Sequence, residues 1–495
     1  MGFAFEVKET DLLGRIGTLR VGGKRLETPY IFPVVHPVSQ LVPTEELASM
    51  GFDGLMTNAY IIYSRRREEA LREGIHKLLG FNGILMTDSG GYQVLEYGDL
   101  ELGHRDVAAF QSEVHSDLAV TLDRPTGYPQ SRATAIETVA YSVENARATL
   151  REFGGSETVW VGPIQGGLYA DLVRKSARSL AAEGFQFLAL GSPVQVMENY
   201  MFVDLVKMVT AARGAIPYSM PLHLFGAGHP LTMGLSIALG CDTFDSASYV
   251  IFARTGRYMS RSGVMALKSM KHLPCSCKVC SKTSVKELQE LEHAERTKLL
   301  SIHNLFILKE EVEACKEAIS EGRLWDLVEE KSMAHPRLRE AFIEMTKHGR
   351  LLSEGTPALK ERGLFIRSAG DLTRPEIIIA ERRLANVMHK RSGTALLDAS
   401  DDRCPRRGGE AGRDLDVYRT HPILGPFPAE LEFQYPFSQT EVAAMVPAVT
   451  PEGSRRRLLR LGYNRIRSSQ RVKVRSRRNR RGASPSPPSS SARFR

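Results

Sequence analysis

Between residues 31 and 244 the chain alternates short apolar segments with longer amphipathic ones, and this alternation limits the fold more than any other feature. The short apolar segments predict buried strands, whereas stretches such as 170–183 and 200–212 have the apolar spacing of helices. This strand–helix alternation predicts an α/β fold, a (β/α)8 TIM barrel, with an open doubly wound sheet as the alternative. The predicted strands are residues 31–35, 54–58, 83–87, 118–122, 159–164, 187–190, 221–225 and 242–244.

Polar residues follow several of these strands. In a barrel the carboxyl ends of the strands form one face, where active sites gather, so these residues are expected to converge. A single Asp before a helix could instead cap that helix, but three carboxylates from three strands predict a site. The residues concerned are Asp88 with Ser89 and Tyr92 after the third strand, Asp123 after the fourth, Gln165 after the fifth, Gly191 after the sixth and Asp245 after the eighth.

Paired carboxylates at such a face suit retaining glycosyl transfer. In that chemistry one carboxylate attacks the anomeric carbon and forms a covalent glycosyl-enzyme, while the other moves a proton to and from the leaving group. Asp88 and Asp245 are the candidates. Carboxylate chemistry by itself leaves open which of the two is the nucleophile, because either could perform either task.

A cysteine cluster follows the barrel segment. Cys275, Cys277 and Cys280 form a C-x-C-x2-C run, and His303 lies 23 residues beyond the third cysteine. Three thiolates and one imidazole make a closed tetrahedral shell, which predicts one structural Zn2+ per chain and leaves catalysis to other residues. Three free thiols are the alternative to zinc. The competing fourth ligands are His272 and His293.

Charge is distributed unevenly along the chain. From Arg455 onward there are 15 Lys or Arg and no acidic residue, whereas residues 1–454 hold 51 basic and 57 acidic side chains. The basic end lacks a sustained apolar period and finishes rich in Ser and Pro, which predicts a disordered tail that attracts polyanions. The chain has no secretory signal and no apolar run long enough to span a membrane, so a cytoplasmic protein is expected.

These features predict four regions. Residues 1–265 would form the catalytic barrel and 266–350 a zinc-binding subdomain with closing helices. Residues 451–495 would form the basic disordered tail, and residues 351–450 a region whose partial α+β fold is implied by a family resemblance of residues 435–439. A chain of 495 residues is long enough for two or three such domains.

Seven segments in order resemble the tRNA-guanine transglycosylase family: TNAYIIY, MTDSGGYQVLEYGDLE, GPIQGGLY, HLFGAGHP, GCDTFDSASY, CSCKVC and SIHNL. The resemblance covers residues 5–345 and is strongest to the archaeal branch. Ser-Ala-Ser-Tyr follows Asp245 as in that branch, and residues 435–439 resemble the start of its C-terminal extension. Membership would imply exchange of a guanine at position 15, in the tRNA D-loop, for 7-cyano-7-deazaguanine (preQ0) in archaeosine biosynthesis.

The resemblance also implies roles for individual residues. Asp245 would be the nucleophile and Asp88 the general acid/base, and Asp123 would accept hydrogen bonds from the N–H edge of the base. Gln165 and the backbone at Gly191 would meet the carbonyl edge of the base. Tyr92 would stack on the base, and Ser89 would also contact the substrate.

The expected partners are tRNA, guanine and preQ0, with a homodimer as the assembly. The chain departs from the archaeal pattern in lacking an evident RNA-binding PUA domain, so a separate PUA-type protein or the basic tail would dock tRNA. Competing functions are a deazapurine transferase acting on DNA or another tRNA position, a retaining glycoside hydrolase and an RNA-binding protein on an inactive barrel. A glycoside hydrolase would be expected to use more tryptophans as stacking surfaces for sugars than the two present, Trp160 and Trp325. The presence of all three carboxylates argues against an inactive barrel.

Overall fold

The fold is given by a computed structural model that describes residues 2–91, 103–398 and 415–468. The chain divides into two compact units. The first comprises Met1–Arg383 and Ser438–Val446, and the second comprises Leu384–Phe437 and Pro447–Arg495. Because the first unit continues to Arg383, the boundary predicted at residue 350 falls inside it.

The first unit contains an eight-stranded parallel sheet in the order β4-β11-β10-β9-β8-β7-β6-β5. The two strands at the ends of this order, β4 and β5, meet through a parallel bridge between Val34 and Met56, and Val35 N–H donates to the Met56 carbonyl at 2.8 Å. This confirms the TIM barrel and the position of every predicted strand. The barrel strands are β4 (Tyr30–Pro33), β5 (Gly54–Asn58), β6 (Ile84–Asp88), β7 (Leu118–Val120), β8 (Val159–Ile164), β9 (Phe187–Leu190), β10 (Leu222–Leu224) and β11 (Thr243–Ser246).

Helices connect and follow the barrel strands. Their apolar faces join the strands in one core, which contains the fully buried side chains of Phe32, Phe187 and Phe244. The described helices before residue 390 are α1 (Thr44–Ser49), α2 (Ala59–Leu79), α3 (His104–Glu113), α4 (Arg132–Phe153), α5 (Ala170–Ala182), α6 (Pro193–Glu198), α7 (Phe202–Arg213), α8 (Pro230–Ala238), α9 (Ser248–Arg254), α10 (Val285–Glu290), α11 (His293–Ser320), α12 (Leu324–Ser332), α13 (Pro336–Thr346), α14 (Gly349–Leu352) and α15 (Pro375–Val387).

An antiparallel sheet of β1 (Ala4–Asp11), β2 (Gly14–Val21) and β3 (Lys24–Thr28) lies at the amino ends of the barrel strands. Arg15 of β2 donates through Nε to Asp242 Oδ1 at 2.9 Å, and its guanidinium also bonds the Met220 carbonyl at 3.1 Å. Asp242 in turn accepts the N–H of Leu222 at 2.8 Å. A buried ion pair is tolerated when its hydrogen bonds are satisfied, as they are here. The pair links the antiparallel sheet to the amino ends of β10 and β11.

Beyond the barrel, the chain forms a hairpin of β12 (Arg257–Ser260) and β13 (Gly263–Ala266), followed by the cysteine segment. The long helix α11 packs against the hairpin and the barrel. Asn304 on this helix accepts the Met259 N–H at 2.9 Å and donates to the Tyr249 carbonyl at 3.0 Å. These bonds set the position of the neighbouring His303. The first unit also contains the parallel pair β14 (Leu364–Ile366) and β18 (Thr440–Val442).

The second unit is built on a four-stranded sheet in the order β17-β16-β15-β19, with helix α16 (Pro451–Arg460) beside it. Its strands are β15 (Thr394–Leu397), β16 (Leu415–His421), β17 (Gly425–Pro428) and β19 (Arg465–Ser468). The prediction of a disordered tail is therefore wrong for residues 451–468. The apolar side chains of Leu458 and Tyr463, although spaced too irregularly to show a period, are buried in the core of this unit. Residues 469–495, the rest of the predicted tail, lie outside the described residues.

Among the helices of the described residues, none combines the length and the apolarity needed to cross a lipid bilayer.

Candidate functional site

A cavity of about 860 Å3 opens at the carboxyl ends of the barrel strands. The cavity lining includes Asp88, Asp123, Gln165, Gly191 and Asp245. The structure therefore brings together five of the predicted residues, each from a different barrel strand or the loop that follows it.

Asp88 is the last residue of β6, where it faces two other carboxylates. Burial, and after it the nearby charges of Asp123 and Asp245, raise its pKa to about 7, against backbone N–H groups that lower it. Its Oδ2 accepts a hydrogen bond from Asn58 Nδ2 at 2.9 Å. A carboxyl group with a pKa near neutrality can both give and take a proton at working pH, which is the requirement for a general acid/base.

Asp245 lies in a different environment, within β11. Its Oδ1 accepts the backbone N–H of Gly226 at 2.7 Å and lies 3.1 Å from Nε2 of His223. The other ring nitrogen of this buried histidine lies 2.9 Å from Thr243 Oγ1. These contacts fix the orientation of one carboxylate oxygen. The other oxygen, Oδ2, has no hydrogen-bond partner in the part of the chain that the structure describes.

Asp123 and Gln165 form a bonded pair on the cavity wall. Gln165 Nε2 donates to Asp123 Oδ2 at 2.6 Å, while Gln165 Oε1 accepts from Thr126 N–H at 3.0 Å and from Ser192 Oγ at 2.9 Å. Burial raises the pKa of Asp123 to about 6, and the hydrogen bond from Gln165 opposes that rise. Above that pH the pair presents a carboxylate acceptor beside an amide donor.

Gly191 lines the cavity, but its N–H donates to the Ile164 carbonyl at 2.9 Å. Its contribution is space, because a Cβ at this position would lie 2.2 Å from Gln165 Nε2. The contact predicted between the Gly191 backbone and the base stays a prediction. Ser192 also lines the cavity, and its N–H has no hydrogen-bond partner among the described residues.

Of the two remaining predicted residues, one lies away from the cavity wall and the other is not among the described residues. Ser89 is fully buried beside Asp88, does not line the cavity, and its hydroxyl has no hydrogen-bond partner within the described ranges. Tyr92 lies outside the described residues. Their proposed substrate contacts stay predictions.

Sequence reasoning missed three residues: Asn58 and His223, which contact Asp88 and Asp245, and Ser192, which contacts the Gln165 carboxamide. Asn58 sits directly across from Asp88 in the register of β5 and β6. His223 lies in a short apolar strand, where a single polar residue could have indicated an inward-facing group. No local pattern marked Ser192.

The four predicted metal ligands converge after the barrel. The ligand atoms of Cys275, Cys277, Cys280 and His303 all lie within 4.8 Å of one another. His303 Nδ1 is 3.5 Å from Cys277 Sγ and 3.4 Å from Cys280 Sγ. The Nε2 atom of the same ring is 2.9 Å from the Met259 carbonyl, which fixes Nδ1 as the nitrogen that faces the thiols. His272 and His293, the alternative ligands, are not part of this cluster.

This barrel with its cavity and cysteine cluster matches a known protein family. The family model described as queuine tRNA-ribosyltransferase matches residues 10–337. The chain belongs to this family. The resemblance stated from the seven sequence segments is thereby confirmed.

Similar proteins cover most of the chain. A tRNA-guanine(15) transglycosylase of Aeropyrum pernix is 39% identical over 450 residues, covering 88% of this chain and 87% of that protein. Those of Methanopyrus kandleri and Sulfolobus acidocaldarius are 38% and 36% identical, and the alignments cover 88% and 89% of this chain. They cover 95% and 89% of the two relatives.

The raised pKa of Asp88 predicts a pH-dependent stability. Between its ordinary value of 3.8 and about 7 the native state binds a proton that the unfolded state has lost, so stability falls as pH rises through this window. Asp88→Asn cannot titrate and should be more stable than wild type at pH 8, by about 1–3 kcal/mol, with the difference vanishing towards pH 4. Urea unfolding of both proteins across this range measures the difference. A difference that does not change with pH would contradict the assignment.

Proposed function

We propose that this enzyme exchanges a guanine in the D-loop of tRNA, at position 15, for preQ0 through a covalent ribosyl–Asp245 intermediate, a step of archaeosine biosynthesis. The observation that carries the proposal is the unequal environment of two carboxylates in one cavity. Asp88 has a pKa of about 7, whereas Asp245 Oδ1 is held by a backbone N–H and contacts a buried histidine. The relatives are named tRNA-guanine(15) transglycosylases, which supports transglycosylation of guanine at position 15 of tRNA.

In this mechanism, Asp245 attacks the ribose anomeric carbon as the bond to guanine breaks. Protonated Asp88 gives its proton to the departing base, whose leaving nitrogen would otherwise carry the bonding electron pair. The incoming base then loses a proton to Asp88 and attacks the same carbon, which releases Asp245. Two displacements retain the stereochemistry of the glycosidic carbon.

The cavity wall presents a pattern of donors and acceptors that complements guanine. Ionised Asp123 accepts from the N1–H and the 2-amino group, whereas the amide of Gln165 and the N–H of Ser192 donate to the 6-oxo group. The preQ0 base has the same edge and fits the same groups. Because this edge is paired or stacked inside tRNA, the target nucleotide must be flipped out to reach the cavity. Ser89 and Tyr92 are further contacts that the family resemblance suggests.

Exchange of labelled guanine tests the proposal. Wild-type enzyme should incorporate labelled guanine into unmodified archaeal tRNA at position 15 and should not incorporate it into DNA. Denaturing electrophoresis should show a tRNA adduct with wild type and none with Asp245→Asn, because an amide is a poor nucleophile. Asp88→Asn should lose turnover yet still form some adduct, since its defect is proton transfer.

Other outcomes have distinct meanings. Labelling of DNA alone, or of another tRNA position, would replace the proposed substrate, and hydrolysis of carbohydrate without exchange would make the enzyme a glycosidase. An adduct with Asp245→Asn and none with Asp88→Asn would reverse the two roles.

We also propose that the cluster of Cys275, Cys277, Cys280 and His303 holds one structural Zn2+. Three sulfurs and one imidazole nitrogen are a typical tetrahedral set for this ion, and the second-shell bond of His303 to Met259 is the usual way to orient such a ring. The cluster contributes nothing to the cavity lining, so the metal would stabilise the hairpin and helix α11.

Metal removal should therefore destabilise the protein before it affects chemistry. Native protein should contain one zinc ion per chain by elemental analysis, and Cys277→Ser should lose it, with a lower melting temperature. Cys241→Ser is the matched control, because this buried cysteine lies outside the cluster. Native protein without zinc, or equal zinc in Cys277→Ser, would refute the site.

The second unit supplies a candidate surface for tRNA. Six arginines between residues 455 and 468 are exposed, and no acidic residue lies among them. Four lie on helix α16, which buries Ser454 and Leu458 and leaves the cations in solvent. We propose that this surface and the following basic residues attract the phosphates of tRNA. We propose that an enzyme with a tRNA substrate of this kind acts in the cytoplasm.

Truncation must respect the fold of this unit. Deleting residues 469–495 should leave α16 and β19 in place, whereas deleting from residue 455 would remove both. The double variant Arg455→Gln/Arg460→Gln should weaken tRNA binding and reduce the slope of log affinity against log salt by about 1–2. Arg20→Gln/Arg25→Gln, on the sheet at the amino end of the barrel, should change neither. Equal slopes for all of these proteins would mean that docking lies elsewhere.

A further inference from the structure

Ser192 has an uncommon backbone conformation at a central position in the cavity. It follows β9 with φ 65°, in the left-handed region that a residue with a side chain rarely adopts. Such a conformation persists where surrounding contacts favour it, and it often marks a functional position. Here the contacts are two hydrogen bonds of the serine hydroxyl.

The direction of these bonds follows from their donors. The backbone N–H of Gly127 lies 3.1 Å from Ser192 Oγ, and a backbone N–H can only donate. The hydroxyl hydrogen of Ser192 is therefore free to point at Gln165 Oε1, 2.9 Å away. Thr126 N–H donates to the same Oε1 at 3.0 Å.

Both lone pairs of the Gln165 carbonyl are thus occupied by fixed donors. The amide oxygen is turned towards residues 126–127, and the NH2 group is turned towards Asp123, to which it donates at 2.6 Å. An unrestrained carboxamide can rotate by 180° and exchange its donor for an acceptor. This network prevents rotation of the Gln165 carboxamide, so its NH2 group is the donor on the cavity wall where the 6-substituent of the base would lie.

We propose that Ser192 is a positioning residue that selects a 6-oxopurine over a 6-aminopurine by holding the Gln165 carboxamide in one orientation. The inference rests on the proposed function, because it concerns the base-binding step of that reaction. A 6-amino group would place donors against donors, and a buried mismatch of this kind is strongly rejected. The hydroxyl acts through Gln165 and touches no reacting atom.

Ser192→Gly tests the role with little backbone cost, since glycine adopts this conformation freely and keeps the N–H at residue 192. Guanine and 2,6-diaminopurine are the probes, because both carry a 2-amino group and they differ at positions 6 and 1. Their inhibition constants are measured against exchange of labelled guanine at pH 8, where Asp123 is ionised. The inhibition constant of 2,6-diaminopurine divided by that of guanine should fall by about fivefold, which corresponds to the loss of one neutral hydrogen bond. Most of this change should come from weaker binding of guanine.

Two further variants separate orientation from general damage. Ser192→Ala lacks the hydroxyl but keeps a side chain, and it should lower the ratio as Ser192→Gly does. Ser176→Ala removes another buried hydroxyl, which accepts the backbone N–H of Gln165 at 3.1 Å. It should lower stability and leave the ratio as in wild type, because the carboxamide is still held.

The outcomes separate this inference from the proposed function. Equal weakening of both purines in Ser192→Gly, or an unchanged ratio, would overturn the role of Ser192 while exchange by wild type stands. A fall in the ratio for Ser176→Ala as large as that for Ser192→Gly would also overturn it. Wild-type enzyme without any guanine exchange would overturn the proposed function, and this role with it.

Discussion

Closure of the parallel sheet is the constraint on which the site depends. Pairing of β4 with β11 and the bridge from Val34 to Met56 complete the ring, so that the carboxyl ends of all eight strands face one cavity. Asp88 and Asp245 are 157 positions apart in the sequence and become electrostatic neighbours only through this closure. At the opposite end, the buried pair of Arg15 and Asp242 joins the antiparallel sheet to the barrel.

Burial in this cavity gives chemically identical carboxyl groups different affinities for a proton. Three carboxylates that leave water together cannot all carry full charge cheaply, so burial and mutual repulsion favour the protonated form of some of them. Asp88 takes a pKa of about 7 despite its bond from Asn58, and Asp123, bonded to Gln165, takes one of about 6, whereas Asp245 Oδ1 accepts the backbone N–H of Gly226 and contacts His223. The roles proposed for the three carboxylates thus rest on their environments rather than on residue type.

Sequence patterns predicted those parts of the molecule that are local. Apolar periodicity located every barrel strand, and the spacing of Cys275, Cys277 and Cys280 indicated a metal site. The folded part of the basic segment was missed because α16 buries only two of its ten residues, too few to produce a visible period. The backbone at Gly191 was predicted to meet the base, but its N–H is bonded to the Ile164 carbonyl, a contact that no sequence pattern encodes.

The sequence by itself determined the barrel, its family and the identity of its carboxylates and thiolates, because strand periodicity, ligand spacing and family segments are written in neighbouring residues. Tertiary structure alone decided which groups share a desolvated cavity, and hence which carboxyl group holds its proton near neutral pH. It also decided the orientation of the Gln165 carboxamide. That orientation depends on Thr126 and Ser192, which come from two different loops and meet only when the barrel is closed.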